Sequence, residues 1–261
     1  MWDEHVLRLL ESHASCRKYR NDTVPKQDIE RIVSAAQRAA TSSNLQMWTA
    51  VVVETEAVQT RLATLCGDQN HIRQAPVFIA WCADRSRLNT VATHQGYVQN
   101  TEYLESFLVA VVDAAIAMQN ATVAAEAMGY GTCYIGGLRN NTADVVDLLQ
   151  LPSGTFPVAG MTVGVPAKQS RPRPRLELPA VLHWERYRPD TTAYLSRYDQ
   201  VMRDTGVYQG RHVAGTTADG DPAPEVPEEQ YGWMEHSARR VSRPQRTDLS
   251  EVAQRQGFKL R

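Results

Sequence analysis

Four short apolar runs along the chain, each bounded by turn residues or by a helical pattern, predict strands. They are TAVVVE (49–54), PVFIAWCAD (76–84), TCYIG (132–136) and PVAGMTVG (157–164). Because helical patterns separate and surround them, the arrangement indicates an α+β or α/β fold with a central sheet flanked by helices.

Helical spacing of apolar residues is clear in several segments. In VPKQDIERIVSAAQRAA, Pro25 suits the first helical position and apolar residues follow on one stripe. The stretch 102–128 predicts a long helix that is apolar on most of its circumference, and hence buried all round at a domain centre or in a subunit interface. Asn141 or Thr142 can cap the helix ADVVDLLQ. Later helices are predicted in TTAYLSRYDQVMRD and in TDLSEVAQRQ, which Gly257 ends.

One segment, 209–232, departs from these patterns. It is rich in Gly, Pro, Ala and acidic residues and has almost no large aliphatic side chains, so we expect a mobile surface excursion. The predicted organisation is therefore a core over residues 1–205, an excursion over 206–232 and a C-terminal extension with a helix over 233–261.

Charge and composition narrow the class of protein. The net charge of −1 over 261 residues gives no electrostatic reason to expect nucleic acid or an anionic membrane as a partner. The 4 cysteines show no C-x-x-C spacing, which indicates reduced thiols in the cytoplasm. The start, MWDEHVLRLLESH, predicts an amphipathic helix and not a signal peptide. The apolar run 107–118 is shorter than the roughly 20 residues that span a bilayer, so we expect a soluble protein.

Several common catalytic motifs do not occur in the sequence. GYGTCY has Tyr134 at the third glycine position of a dinucleotide fingerprint, and it precedes a strand instead of following one. There is no P-loop, no H-E-x-x-H and no G-x-S-x-G, and the histidines do not stand at metal-ligand spacings. The motifs therefore argue against a zinc site, an ATPase and a serine hydrolase.

The remaining chemistry lies in polar clusters that each have a plain alternative. HASCRKYR (13–20) can be an exposed basic loop, ATSSNLQ (40–46) a helix end, and GDQNHIRQAP (67–76) a polar turn. In RPRPRLELP (171–179), prolines stiffen the backbone and hold arginines in an extended array that suits an anion. The strand TCYIG runs into GLRNN, and its paired glycines predict that a flat or bulky group approaches the backbone.

Taken in order, these clusters resemble the nitroreductase superfamily, and specifically its oxygen-insensitive NAD(P)H nitroreductase / flavin reductase P branch. YIGGLRNN and GDQNHI are the specific pieces, and the similarity covers roughly residues 5–200. The resemblance implies an α+β nitroreductase-like fold with a central mixed sheet flanked by helices. It also implies an intertwined homodimer that binds one FMN per active site at the subunit interface.

The resemblance further implies which residues hold FMN. Those that would contact the ring, its ribityl chain and the phosphate from the same chain are His13, Ser15, Arg17, Gln69, His71, Tyr134, Ile135, Gly136 and Gly137. Those that would reach in from the partner subunit are Ser42, Ser43 and Gln46. The phosphate would be held by Arg173 and Arg175, since arginine donates bidentately to phosphate.

Catalysis in such a site depends on the flavin, while the protein supplies positioning and charge. Arg17 is a candidate cation that favours the reduced flavin, and Glu105 matches an acidic active-site position of the branch. Arg211 is the nearest match to an arginine that binds the NADPH phosphate. Ala14 stands where family members usually have arginine.

The activity that the resemblance implies is FMN-dependent oxidoreduction with no metal. Hydride would pass from NAD(P)H through FMN to a nitroaromatic or a quinone in a ping-pong cycle. An alternative within this class is a flavin (FMN) reductase or a quinone reductase. Ala14 and the acidic excursion motivate a different class, a non-catalytic FMN-binding protein, and a ligand-free structural dimer is a third interpretation.

Overall fold

A computed structural model describes residues 4–261. The chain forms two compact units. The first unit extends to Pro172 and includes Arg246–Arg261, and the second is Arg173–Gln245. This division falls after Pro172, whereas the sequence pattern predicts borders after 205 and 232.

The described residues form helices around one four-stranded sheet. The strands are β1 (Trp48–Val53), β2 (Val77–Asp84), β3 (Gly131–Ile135) and β4 (Thr155–Gly164). The helices of the first unit are α1 (Glu4–Glu11), α2 (Lys26–Ala36), α3 (Glu56–Leu65), α4 (Asn70–Gln74), α5 (Ser86–His94), α6 (Leu104–Ala127), α7 (Thr142–Leu148) and α10 (Leu249–Arg255). Those of the second unit are α8 (Thr192–Asp204) and α9 (Trp233–Val241). The four predicted strands are confirmed, with small differences at their ends.

The sheet has the order β1-β2-β4-β3, and each neighbouring pair is antiparallel. The sequence-based expectation of a mixed sheet is therefore wrong for the pairings within this chain. The reason lies in the connections: Val53, at the end of β1, pairs with Phe78, near the start of β2. A single crossover helix would have made the two strands parallel, but α3 and α4 together return the chain to the end of the sheet that it left.

The central strand β2 is buried along its whole length, as its continuous apolar run predicts. Phe78 lies in one hydrophobic cluster with Leu62 of α3 and Val145 of α7. Trp81 lies in another with residues of α2 and α6. Since alternate strand residues face opposite ways, the sheet is covered by helices on both faces.

The long helix α6 has the predicted extent but not the predicted burial. Its buried face consists mainly of small residues, which are Ala110, Ala114, Ala117, Ala121 and Ala125. Its large apolar residues Leu104, Leu108, Val112 and Ile116 are 43%, 47%, 52% and 38% exposed. Burial all round is thus wrong for a single chain, because one stripe of α6 remains about half exposed.

The same helix bears on the membrane question. The run 107–118 is part of a helix of 24 residues, which by length and composition alone is the one helix in the described chain that could cross a bilayer. This is weak evidence, since helices that pack in soluble proteins meet the same two criteria.

Helix ends differ from the predictions in one place and agree in another. Asn141 occupies the N-cap position of α7, but its side chain donates to the Leu65 carbonyl at 2.7 Å instead of capping the helix. Thr142 donates to the Arg139 carbonyl, so neither residue caps α7 through its side chain. Gly257, just after α10, has φ of +87°, the left-handed conformation expected of a glycine that ends a helix.

The second unit is held together largely by aromatic and polar contacts. Tyr198 of α8 packs edge-on against Trp233 of α9, with ring centroids 5.0 Å apart. Tyr231, within the segment predicted to be an excursion, is buried and accepts a hydrogen bond from the Val213 N–H at 3.0 Å. The segment 209–232 is therefore anchored at Tyr231, while most of its other residues are exposed.

Candidate functional site

The N-terminal cluster lies beside the end of the sheet. The Cys16 N–H donates to the Thr132 carbonyl of β3 at 2.7 Å, and the Arg20 N–H donates to the Val165 carbonyl at 2.9 Å. These bonds align segment 13–20 with β3 and the end of β4. His13, Ser15 and Arg17 are thereby brought to the strand that ends in the paired glycines.

The polar turn 66–71 packs against the second of these glycines. A Cβ atom on Gly137 would lie 2.4 Å from the Cys66 carbonyl oxygen and 2.7 Å from Gln69 Nε2. The Gln69 side chain itself donates to the Cys66 carbonyl at 2.6 Å. Gly137 is thus required by the chain's own packing, which is a different reason from the flat ligand that the sequence suggested.

Gly136 has a different environment. A Cβ atom there would meet only Arg139 Nη2, at 3.9 Å, so the space in front of Gly136 is open. The backbone at this position can therefore be approached closely by a ligand.

The strand residues before the glycines point to opposite faces of the sheet. Ile135 is buried in the cluster with Leu138 and Val145, so only its backbone can face a ligand. The Tyr134 hydroxyl donates to the Met118 carbonyl of α6 at 3.1 Å, and burial raises the pKa of Tyr134. Neither side chain lies over the open space at Gly136.

His71 carries a buried nitrogen, Nε2, that has no hydrogen-bond partner in the described chain. Burial lowers the pKa of His71, and the positive charge of Arg17 lowers it further. The imidazole is therefore neutral near pH 7 and has one ring nitrogen available. A buried polar atom without a partner indicates that a ligand or water completes the site.

Arg17 and His71 share a cavity of about 760 Å³. The other charged and amide side chains that line it are Lys18, Asn21, Asn70, Arg73 and Gln74. Arg73 is paired with Asp68, whereas Arg17 and Lys18 are exposed cations. The cavity is suited to an anionic group. Lys18 and Arg73 line this cavity and were not among the predicted FMN-binding residues, although both stand in the polar clusters that the sequence displays.

His13 is not among the residues that line this cavity, and its side chain contacts Glu126. Its Nδ1 lies 2.7 Å from a Glu126 carboxylate oxygen, which also accepts a hydrogen bond from the Thr132 hydroxyl at 3.2 Å. Ser15 bonds to the thiol of Cys133, whose pKa is raised by burial. Both residues thus contact the chain itself at the edge of the cluster.

A second cluster lies around a different cavity. Ser42, Ser43 and Glu105 line a space of about 620 Å³ that shares no lining residue with the cavity at Arg17. Gln46, on the same loop, donates to the Asn44 carbonyl at 3.4 Å. One chain therefore does not bring the serine loop to the cavity of Arg17 and His71.

The remaining predicted residues belong to the second unit. Arg173 and Arg175 are exposed, and Arg175 donates to the Arg173 carbonyl at 3.2 Å. Arg211 is also exposed, and Glu228 binds the residues on either side of it, the Gly210 N–H and the His212 imidazole.

Sequence comparison assigns the chain to a family. Residues 10–165 match the model of the nitroreductase family, and residues 173–261 match that of the nitroreductase family C-terminal domain. The two matches meet close to the border between the two structural units.

Individual relatives agree with this assignment. The chain is 34% identical to an FMN reductase [NAD(P)H] of Bacillus subtilis over 259 residues, 98% of each chain. It is 31% identical to an oxygen-insensitive NADPH nitroreductase of Salmonella typhimurium over 256 residues, 98% of this chain and 99% of the relative. The solved structure of NfrA2 from B. megaterium matches with a TM-score of 0.89 and 32% identity, covering 99% of this chain and 100% of that one. The chain therefore belongs to the nitroreductase family.

Proposed function

We propose that this protein is an FMN-dependent oxidoreductase that uses NAD(P)H to reduce nitroaromatics or quinones. The observation that carries the proposal is the cavity shared by Arg17 and His71, which offers an exposed cation and an unpartnered buried imidazole nitrogen. The backbone at Gly136 is uncovered as well. These features suit a ligand that is anionic, rich in hydrogen-bonding atoms and flat, as FMN is. The names of the relatives from Bacillus and Salmonella point the same way.

Each of these three residues has a separate task in this proposal. The chemistry that FMN would supply when bound is hydride acceptance from NAD(P)H and delivery of two electrons to the acceptor, in a ping-pong cycle. The guanidinium of Arg17 stabilises negative charge on the bound group, because an opposite charge nearby favours the charged form. The neutral His71 supplies Nε2 as a hydrogen-bond partner, and Gly136 leaves room for the ring. Arg173 and Arg175 would hold the phosphate, and Arg211 the NADPH phosphate.

We further propose that the working form is a soluble cytoplasmic homodimer. The exposed stripe of α6, with Leu104, Leu108, Val112 and Ile116 spaced four residues apart, is a surface that a second copy can bury. In the second unit, a further exposed apolar set consists of Leu178, Val181, Leu182, Trp184 and Tyr187. A dimer also accounts for the separate serine loop, whose Ser42, Ser43 and Gln46 would complete the partner subunit's site.

A second candidate function is NAD(P)H:flavin reduction, with free flavin as the electron acceptor. The name of the Bacillus relative, an FMN reductase, favours it. Turnover with FMN, with a quinone and with a nitroaromatic, compared by kcat/KM, separates the two candidates.

The experiment that tests the main proposal is anaerobic mixing of the purified protein with NADPH and with NADH. We expect the protein to carry bound FMN, and we expect its visible absorbance to bleach rapidly. Protein that stays yellow would be a non-catalytic FMN binder, and colourless protein that takes up no FMN would contradict the proposal altogether.

A double variant tests whether Arg173 and Arg175 hold the FMN phosphate. Replacing both Arg173 and Arg175 by alanine should strip FMN from the protein on dialysis, because each charged hydrogen bond contributes about 1.5–3 kcal/mol. Replacement of the exposed Arg188 is the matched control and should leave FMN occupancy unchanged. Full occupancy in the double variant would remove these two arginines from the site.

A further inference from the structure

The serine loop, defined here as residues 41–47, has an unusual backbone. Ser43, Asn44 and Gln46 have φ of 47°, 58° and 53°, the left-handed region that non-glycine residues rarely adopt. Such conformations persist only where surrounding contacts determine them, and they are concentrated at functional sites. The loop contains no glycine, so some other feature must hold it in this shape.

That feature is a buried carboxylate on the long helix. Asp113 of α6 is 1% exposed and lies among apolar residues of the helix interior. It accepts hydrogen bonds from the Thr41 hydroxyl at 2.5 Å, the Ser42 N–H at 3.1 Å and the Met47 N–H at 3.0 Å. The Thr41 hydroxyl in turn accepts from the Gln46 N–H at 2.8 Å. One side chain thus fastens both ends of the serine loop.

The side chains of the loop, in contrast, point outward. Every residue from Ser42 to Gln46 is exposed, while the backbone that carries them is tied to Asp113. A fixed backbone under exposed polar side chains is the arrangement expected of a preorganised binding loop, because little ordering entropy remains to be lost on binding.

We propose that Asp113 is a positioning residue, which holds the strained serine loop in the shape that presents Ser42, Ser43 and Gln46 to the flavin of the partner subunit. The inference rests on the proposed function. It also links two roles of α6, since Val112 and Ile116 on the exposed stripe flank the turn that carries Asp113. The helix that offers the subunit contact thereby also sets the loop that reaches across it.

The test compares FMN affinity with folding stability in variants of the full chain. Asp113→Asn keeps the shape of the side chain but replaces an acceptor oxygen by a donor NH₂ that faces the loop's donors. We expect its dissociation constant for FMN to rise about tenfold or more, since hydrogen bonds to a charged group are lost. At saturating FMN, kcat should stay near that of the parent protein, because the reacting groups are intact.

A milder pair of variants keeps the proposal testable if Asp113→Asn does not fold. Thr41→Val removes one hydroxyl of the network. Thr155→Val removes a buried hydroxyl that bonds to the Pro152 carbonyl at 2.6 Å and takes no part in the network. Both should lower the free energy of unfolding, but only Thr41→Val should weaken FMN binding. FMN affinity unchanged in Thr41→Val, as in Thr155→Val, would overturn the positioning role. A parent protein that binds no FMN would instead contradict the proposed function.

Discussion

Two adjacent glycines at the end of β3 have different physical reasons. Gly137 is required because the Cys66 carbonyl and Gln69 occupy the place of its Cβ atom. Gly136 has open space in front of it, with the nearest atom 3.9 Å from a Cβ position. The sequence shows the pair and predicts a close approach, but it does not reveal which glycine packs against the chain and which faces open space.

This difference gives a matched pair of variants. Gly137→Ala should destabilise the fold by about 1–3 kcal/mol, the usual effect of forcing extra volume into a packed site. Gly136→Ala should leave the free energy of unfolding within about 0.5 kcal/mol, as at other open positions, yet raise the dissociation constant of FMN. Denaturant titration and flavin binding check both. Normal FMN affinity in Gly136→Ala would mean that the ring does not rest on this backbone.

The buried imidazole of His71 predicts a dependence of stability on pH. Burial lowers its pKa from 6.5, so the unfolded chain binds a proton more readily than the folded one. The stability that neutral His71 provides is fully present above 6.5 and is lost as the pH falls from there towards its pKa in the folded state. His236 acts in the same direction, since burial lowers its pKa as well.

Unfolding of the flavin-free protein, measured above and below this pH, tests the assignment. The parent protein should lose more stability on acidification than His71→Gln, in which one of the titrating groups is gone. Identical losses in the two proteins would show that His71 does not titrate in a buried environment.

At the scale of elements, the sequence predicts the length and the buried face of α6 but not which of its other faces stays uncovered. Its length follows from the apolar pattern, and its alanines identify the buried face. Asp113 was missed, although a lone carboxylate inside an apolar run is itself a signal: a buried charge must be hydrogen-bonded. Which stripe stays uncovered depends on the packing against α2 and the sheet, and that cannot be read from periodicity in a helix that is apolar on most sides.

The uncovered stripe predicts the subunit contact. Val112→Lys should separate the dimer, because it places a charge in the centre of a buried apolar surface. Val241, on α9, is 82% exposed, and Val241→Lys is the control that should leave the dimer intact. Sedimentation at equal concentrations distinguishes these results. A Val112→Lys protein that sediments like the parent would exclude the α6 stripe as the interface.

In the sheet, too, the local features can be predicted from the sequence and the non-local ones cannot. Each strand is recognisable from a short apolar run between turn residues, and all four are found in the structure. Strand order and direction depend on how the connections return, as the pairing of Val53 with Phe78 illustrates. The sequence therefore predicts the strands but not their antiparallel arrangement.

At the scale of the whole molecule, the candidate site is distributed over segments far apart in the sequence. Folding of one chain places Arg17 and His71 on one cavity, and it packs the polar turn 66–71 against Gly137. It leaves the serine loop beside a different cavity. Sequence motifs identify such segments one at a time, whereas their convergence depends on the fold and, for the serine loop, on the proposed dimer.

The central claim is that two chains share each flavin site, and mixed dimers test it most directly. One chain carries Arg17→Ala and His71→Ala, and the other carries alanine at Ser42, Ser43 and Gln46. Each variant alone should bind little FMN. A mixed dimer, purified through two different tags, contains one site built wholly from unaltered residues, so we expect about half of the parent protein's FMN and NADPH oxidation to return. Mixed dimers that form but recover neither would contradict a site shared between subunits.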